Sequence, residues 1–163
     1  MRHEATRGGT RLWLSLCAGL AAAMLLAPGL AQAQGAGDQR ALEGCTAGAG
    51  QARAAEARCI GLLSEGCRDQ TTLGISECLM AEQKAWDALL NRWWGPMRER
   101  AKANGSWDRL LAGQRAWIAE KEAACQAAYD SAGGGSIRVI YAAECLRDRT
   151  AQKAIEFYYS LNR

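Results

Sequence analysis

The chain has 163 residues, of which 49% are hydrophobic, and its 20 basic and 17 acidic side chains leave a formal net charge of +3. This length predicts one domain with a modest core. A charge so close to balance argues against the strongly basic surfaces that bind nucleic acids or anionic membranes. No nucleic-acid partner is therefore expected.

The first residues have the form of a secretory signal peptide. Three arginines precede an apolar run at residues 12–26, and the sequence AQA at 31–33 has the small side chains of a cleavage site. We expect cleavage near Ala33 and a periplasmic or secreted mature chain, with a retained signal anchor as the alternative. The apolar run is short for a transmembrane helix and no second run follows, so the mature chain should lack a membrane span.

Six cysteines would remain in the mature chain: Cys45, Cys59, Cys67, Cys78, Cys125 and Cys145. An even number in an exported chain indicates disulfides. No C-x-x-C pair occurs, and the one histidine, His3, precedes the cleavage site. A zinc site and a thioredoxin-like redox site are therefore both disfavoured, and no metal or cofactor is expected.

Six cysteines allow fifteen pairings, but their positions favour one bridge in particular. Cys125 and Cys145 lie at similar distances on either side of the glycine-rich turn at 133–136, and an antiparallel helical hairpin would bring them level. By weaker reasoning, Cys67 and Cys78 flank a turn-prone segment. Cys45 would then pair with Cys59, which requires a helix break near residues 48–50.

The composition predicts an all-α fold, a small antiparallel helical bundle stapled by disulfides. The chain is rich in alanine and has only 2 prolines. We predict an alanine-rich helical region at 38–67, broken near Gly48, and a helix from near Ile75 that Gly95-Pro96 should kink or end. Ser106 should cap a third helix and Ser136 a fourth.

Five tryptophans follow the predicted cleavage site. Trp86, Trp93 and Trp117 recur at helical spacing among apolar residues, which predicts core positions. Trp94 is adjacent to Trp93 and cannot share the centre of the same face. It either covers the edge of the core or forms part of a partner surface, because exposed aromatic side chains are enriched where partners bind.

No catalytic residues are identified. Without a histidine the usual general base is missing, and disulfide formation would leave no cysteine nucleophile. The glycines at 133–135 lack the flanking residues of a phosphate-binding loop. We therefore expect a binding protein rather than an enzyme.

The spacing of many residues resembles that of the LprI-like family of exported bacterial domains. The residues that carry this resemblance are Cys67, Thr72, Ile75, Cys78, Glu82, Leu90-Asn91, Leu110, Gln114-Arg115-Ala116-Trp117-Ile118, Cys125, Gly134-Gly135-Ser136, Cys145-Leu146 and Thr150. The resemblance covers roughly residues 67–161 and makes 34–66 an N-terminal extension. The chain departs from the family pattern at residues 120–122. It also departs from it at Lys153, where the family usually has an arginine.

The resemblance implies a helical binding module in the cell envelope, for which inhibition of lysozyme or another peptidoglycan hydrolase is one candidate function. The alternative is a structural or stress-related periplasmic domain that binds another envelope component. The family-signature positions, expected to be structural, are Glu82, Trp86, Asn91, Gln114, Arg115, Trp117, Lys121 and Thr150.

Two further expectations concern polar contacts and partners. Gln114, Trp117, Lys121 and Cys125 should share the helix face that meets the hairpin partner, with Glu82 or Glu144 as polar partners of Gln114 and Lys121. The candidate partner surface consists of Trp94, Gly133, Gly134, Gly135 and Ser136. A flexible glycine loop is costly to order on binding, which argues against its use.

Overall fold

The computed structural model describes residues 27–163, and every regular element in that range is helical. The helices in chain order are α1 (Ala27–Gly48), α2 (Ala52–Cys59), α3 (Thr72–Ala103), α4 (Trp107–Ser131) and α5 (Arg138–Leu161), with a 3₁₀ turn at Ser64–Gly66. The all-α prediction is confirmed. The predicted signal peptide lies mostly outside the described residues. Within residues 27–163, no helix is both long enough and apolar enough to cross a membrane.

The break predicted near Gly48 separates α1 from α2. Gly50 adopts a φ of 77°, a left-handed conformation that glycine reaches without steric cost. The chain reverses there and brings Cys45 and Cys59 into a disulfide with a Cα–Cα distance of 5.8 Å. The Cys45–Cys59 pairing that the sequence predicted required such a break between the two cysteines.

Helix α3 begins three residues before the predicted start near Ile75 and continues past Gly95-Pro96, where the sequence predicted a kink or an end. Thr71 caps its start, since the Thr71 hydroxyl accepts a hydrogen bond from the backbone N–H of Gly74. Gly95-Pro96 does not end the helix, which continues to Ala103. Proline has no backbone N–H, so the carbonyl of Arg92 has no helical donor at this point. Both Arg92 and Pro96 are exposed, so water can bond to that carbonyl instead.

One of the two predicted serine caps is at the predicted position and the other is wrong. Ser106 is the N-cap residue of α4, but its hydroxyl donates to the Asn104 side chain and makes no cap bond to the helix. Gly105, with a φ of 72°, instead ends α3, and the Ser106 N–H bonds back to the carbonyl of Ala101. At α5 the capping position is Ile137 rather than Ser136, and no side chain caps the helix.

The core lies mainly between α3 and α5, which make the most extensive helix–helix contact. Its largest fully buried apolar side chains are Trp86, Phe157, Leu42, Leu89 and Ile155. The rings of Trp93 and Tyr158 are 5.2 Å apart, and further along both helices the Arg100 guanidinium donates to the carbonyl of Leu161. Because these contacts follow the same order in both helices, α3 and α5 run parallel, and α4 connects them in the opposite direction and packs mainly on α5.

Helix α4 is much less buried than its neighbours. Cys125 is its only buried residue, and its disulfide to Cys145 of α5 spans a Cα–Cα distance of 5.3 Å. Cys67 and Cys78 form the third disulfide, so all three bridges are the pairs favoured by the sequence. The sequence also predicted Trp117 of α4 as a core residue, but it is only half-buried, because α4 covers α5 with a single side.

Candidate functional site

The most extensively bonded side chain in the core is the carboxylate of Glu82. It is fully buried and accepts hydrogen bonds from the backbone N–H groups of Gly61, Leu63 and Ser64 at 2.7, 3.2 and 2.8 Å. It also accepts from the Ser64 hydroxyl and from the Trp86 indole N–H. A buried carboxylate with this many donors is satisfied, so Glu82 fastens the segment after α2 to α3.

Arg147 of α5 extends this network. Its guanidinium donates to the Ser64 hydroxyl at 3.0 Å and pairs with Asp148 at 2.7 Å and Glu144 at 3.6 Å. Sequence reasoning missed Ser64 as a partner of Glu82 and Arg147 as a partner of Ser64. A signal for the burial of Glu82 was present, since it lies one helical turn from both Leu79 and Trp86 in the apolar stripe of α3.

The other signature residues have different surroundings. Asn91 is exposed and bonds only to the Asp87 carboxylate, at 2.9 Å. Arg115 is exposed on α4. Thr150 is fully buried in α5, and its hydroxyl has no hydrogen-bond partner among the described residues. The signature thus combines buried and solvent-facing positions.

The polar partners expected for Gln114 and Lys121 are not found. The Gln114 carbonyl oxygen is buried without a partner among residues 27–163. The Lys121 ammonium lies 4.9 Å from the centre of the Trp117 ring. Glu82 bonds to the segment after α2 and Glu144 pairs with Arg147, and neither carboxylate bonds to Gln114 or Lys121. The expected face is nevertheless the less exposed side of α4.

Two of the residues that depart from the family pattern, Lys121 and Lys153, lie beside Trp117. The Lys121 and Lys153 ammonium groups are 4.9 and 5.7 Å from the centre of the indole ring. Glu120 pairs with Arg149 of α5 at 3.0 Å. Trp117, Arg149 and Lys153 help to line an open groove of about 450 Å³ between α2, α4 and α5. The departures at 120 and 153 therefore make contacts between α4 and α5, whereas Lys121 packs within α4.

The structure separates the two parts of the candidate partner surface. The Trp94 ring stacks on Phe157 at 5.9 Å and packs against Trp107 at the start of α4. The glycine loop follows the end of α4, and 24 steps of 1.5 Å place it about 36 Å away. Trp94 therefore covers the edge of the core and cannot form one surface with Gly133–Ser136.

The side chains of Asp69, Glu99 and Tyr159 have shifted pKa values, and those of Asp69 and Tyr159 also make contacts that hold the fold together. The backbone N–H of Thr71, and then its hydroxyl, donate to Asp69 and hold the pKa of that carboxyl below its usual value. Burial raises the pKa of the Tyr159 phenol, with a smaller contribution from Tyr158. The Tyr159 hydroxyl donates to the carbonyl of Thr46 at 2.6 Å and so fastens α5 to α1.

Fold and site together define a class of protein. It is a small all-α domain stapled by disulfides, in which the buried carboxylate of Glu82 serves the fold. Within the part of the chain that the structure describes, no group of three acidic, cysteine or histidine side chains could hold a metal ion.

The chain belongs to the LprI family. The family model, described as lysozyme inhibitor LprI, matches residues 65–157, more than half of the chain. The match includes α3, α4, most of α5 and two of the three disulfides. No curated protein and no solved structure gives a significant match.

Proposed function

We propose that this protein is an exported cell-envelope module that inhibits lysozyme or a related peptidoglycan hydrolase. The observation that carries the proposal is the match of residues 65–157 to the lysozyme inhibitor family. The matched residues include Glu82, the Cys67–Cys78 bridge and the Cys125–Cys145 bridge, whereas the backbone donors to Glu82, at residues 61–64, lie just before the match.

Export is part of the proposal and has its own support. The first 33 residues have the charge and hydropathy pattern of a signal peptide. Three disulfides in a domain of this size are typical of proteins that fold in an oxidising compartment. We place the mature protein in the periplasm or outside the cell, where it could meet hydrolases that attack the cell wall.

The proposed activity is binding rather than catalysis. Glu82 is enclosed by its donors and cannot reach a substrate. An inhibitor needs a rigid surface because ordering mobile groups on binding reduces affinity. Three disulfides and the buried network of Glu82 provide that rigidity.

A lysis assay tests the proposal. The oxidised mature protein is preincubated with several lysozyme types, and the loss of turbidity of a cell-wall suspension is followed. The same mixtures are then assayed with a soluble oligosaccharide substrate, which separates binding to the enzyme from shielding of the wall. We expect slower hydrolysis of both substrates by at least one lysozyme type. Unchanged rates with every enzyme at a micromolar excess of the protein would contradict the proposal.

A further inference from the structure

Most of the exposed large apolar side chains lie at one end of the bundle. Among the described residues, the large hydrophobic side chains that remain exposed are Leu62, Leu73, Met80, Ile118, Ile137, Val139 and Tyr141. Leu73 is at the start of α3, and Ile137, Val139 and Tyr141 are at the start of α5. Because α3 and α5 run parallel, these starts lie at the same end. Exposed apolar side chains grouped in this way mark interaction sites.

The end of the α4–α5 hairpin projects the densest part of this group. We call residues 133–141 the hairpin tip. Within it, Ile137 is 46% exposed and Tyr141 is 44% exposed, one helical turn apart, and Val139 is 37% exposed. An open groove of about 330 Å³ beside the tip is lined in part by Tyr129 and Leu146. No residue of the tip lines that groove, so the apolar surface of the tip itself consists of Ile137, Val139 and Tyr141.

The glycine loop of the tip has a defined conformation in the structure. The Gly133 N–H bonds to the carbonyl of Asp130, the Arg138 N–H to that of Gly135, and the Val139 N–H to that of Ser136. The Cys125–Cys145 bridge joins the two helices behind the loop. Ordering a flexible glycine loop on binding would reduce affinity. These bonds lower that cost, because part of the conformational entropy of the loop is already lost when the protein folds.

Arg138 is the cation of the tip. Its guanidinium carbon lies 4.8 Å from the centre of the Tyr129 ring, and no described carboxylate is within ion-pair distance. The nearby Asp130 accepts from the Gln126 side chain, one turn back along α4. Glu144 is engaged with Arg147. The guanidinium thus keeps N–H donors for an outside partner, and those donors match the two oxygens of a carboxylate.

We propose that the hairpin tip enters the substrate cleft of a lysozyme-type glycoside hydrolase, with Arg138 facing the carboxylates of that cleft. This inference rests on the proposed function and adds the surface and the chemistry of inhibition. Glycoside hydrolases use two carboxyl groups on either side of the bond that they cleave. Their clefts are lined largely by apolar and aromatic side chains with few polar groups. An apolar tip with one arginine is complementary to both features.

Matched substitutions test the inference. Arg138→Ala should raise the inhibition constant at least about tenfold, and Arg138→Lys should recover part of the loss because it keeps the charge but not the fork. Ile137→Ala should weaken inhibition several-fold. The controls are Arg109→Ala, an exposed cation in the first turn of α4, and Ile118→Ala, at a position 40% exposed near the middle of α4. Both controls should inhibit like the unchanged protein.

A second measurement does not depend on the variants. A tip that fills the cleft must compete with a soluble oligosaccharide substrate, so raising the substrate concentration should relieve inhibition. Full inhibition by all tip variants, or inhibition that substrate does not relieve, would show that the tip is not the inhibitory surface, while the proposed function would stand. If the unchanged protein does not inhibit, both proposals are wrong. Circular dichroism confirms that each variant is folded.

Discussion

The carboxylate of Glu82 binds both the backbone N–H and the hydroxyl of Ser64, eighteen residues earlier in the chain, each at 2.8 Å. Gly61, Leu63 and Trp86 donate to the same carboxylate. The segment between α2 and α3 makes no regular helix beyond one 3₁₀ turn. Its position on α3 is therefore held by the buried Glu82 carboxylate together with the Cys67–Cys78 bridge.

Replacing Glu82 by glutamine should destabilise the fold strongly. The amide has nearly the same shape, but its NH₂ group would face N–H donors that now bond to an oxygen. Losing charge-assisted bonds in a buried site leads us to expect a loss of about 2–4 kcal/mol in the free energy of unfolding. Urea unfolding checks this, with Glu77→Gln at an exposed position of α3 as the control. Equal stabilities of the two variants would contradict the structural role of Glu82.

Removing the Cys125–Cys145 bridge should loosen α4 in particular. The cysteines are separated by 20 residues, and a loop of that size predicts a loss of about 3 kcal/mol. Cys125 is the only buried residue of α4, so little apolar contact compensates. In the Cys125→Ser, Cys145→Ser double variant, amide exchange should accelerate in α4 more than in α3. Equal acceleration in both helices would mean that apolar packing, not the bridge, holds α4.

Gly74→Ala should destabilise the start of α3 although alanine favours helices. A Cβ at Gly74 would lie 2.0 Å from the Cγ of Asp69, so the Asp69 side chain would have to leave its position. The steric cost, about 1–3 kcal/mol, should exceed the helix gain of about 1 kcal/mol. Gly113→Ala in α4 is the matched control, because its Cβ meets no atom within 4 Å and should stabilise the protein. Thermal unfolding of both variants checks the opposite signs.

The pKa of the Asp69 carboxyl should report on the turn between Asp69 and Thr71 at the start of α3. Its pKa is lowered in the folded state by the Thr71 N–H and hydroxyl, so its contribution to stability is present above the unfolded pKa, near 4. That contribution is lost as the pH falls through the lower folded pKa. The stability difference between the unchanged protein and Asp69→Asn should therefore shrink on acidification below about pH 4.

A direct titration of Asp69 by NMR completes this test. The folded protein should show a carboxyl pKa below the usual value for aspartate. Thr71→Ala removes the hydroxyl but keeps the backbone N–H, the larger cause of the shift, and should raise the pKa only in part. An Asp69 pKa at or above the usual value would contradict this assignment.

The sequence determined the features that depend on local chemistry. Helical spacing and composition predict the all-α class, and Gly50 and the glycine loop mark reversals that a helix does not cross. Turn positions favoured the Cys125–Cys145 and Cys67–Cys78 pairs and left Cys45 for Cys59, and the structure contains all three bridges. Residues 67–161 carried the family resemblance, and the family match covers 65–157.

Only the tertiary structure decided how far the polar and aromatic side chains are buried and which partners they contact. Trp117 has the helical spacing of a core residue, but its exposure depends on how many helices surround α4. Glu82 lies in the apolar stripe of α3, yet its donors come from a segment whose path no periodicity describes. Trp94 and the glycine loop were joined in one candidate surface and lie at opposite ends of α4. Spacing along a chain specifies the face of a helix, whereas partners across the core are specified by packing between elements.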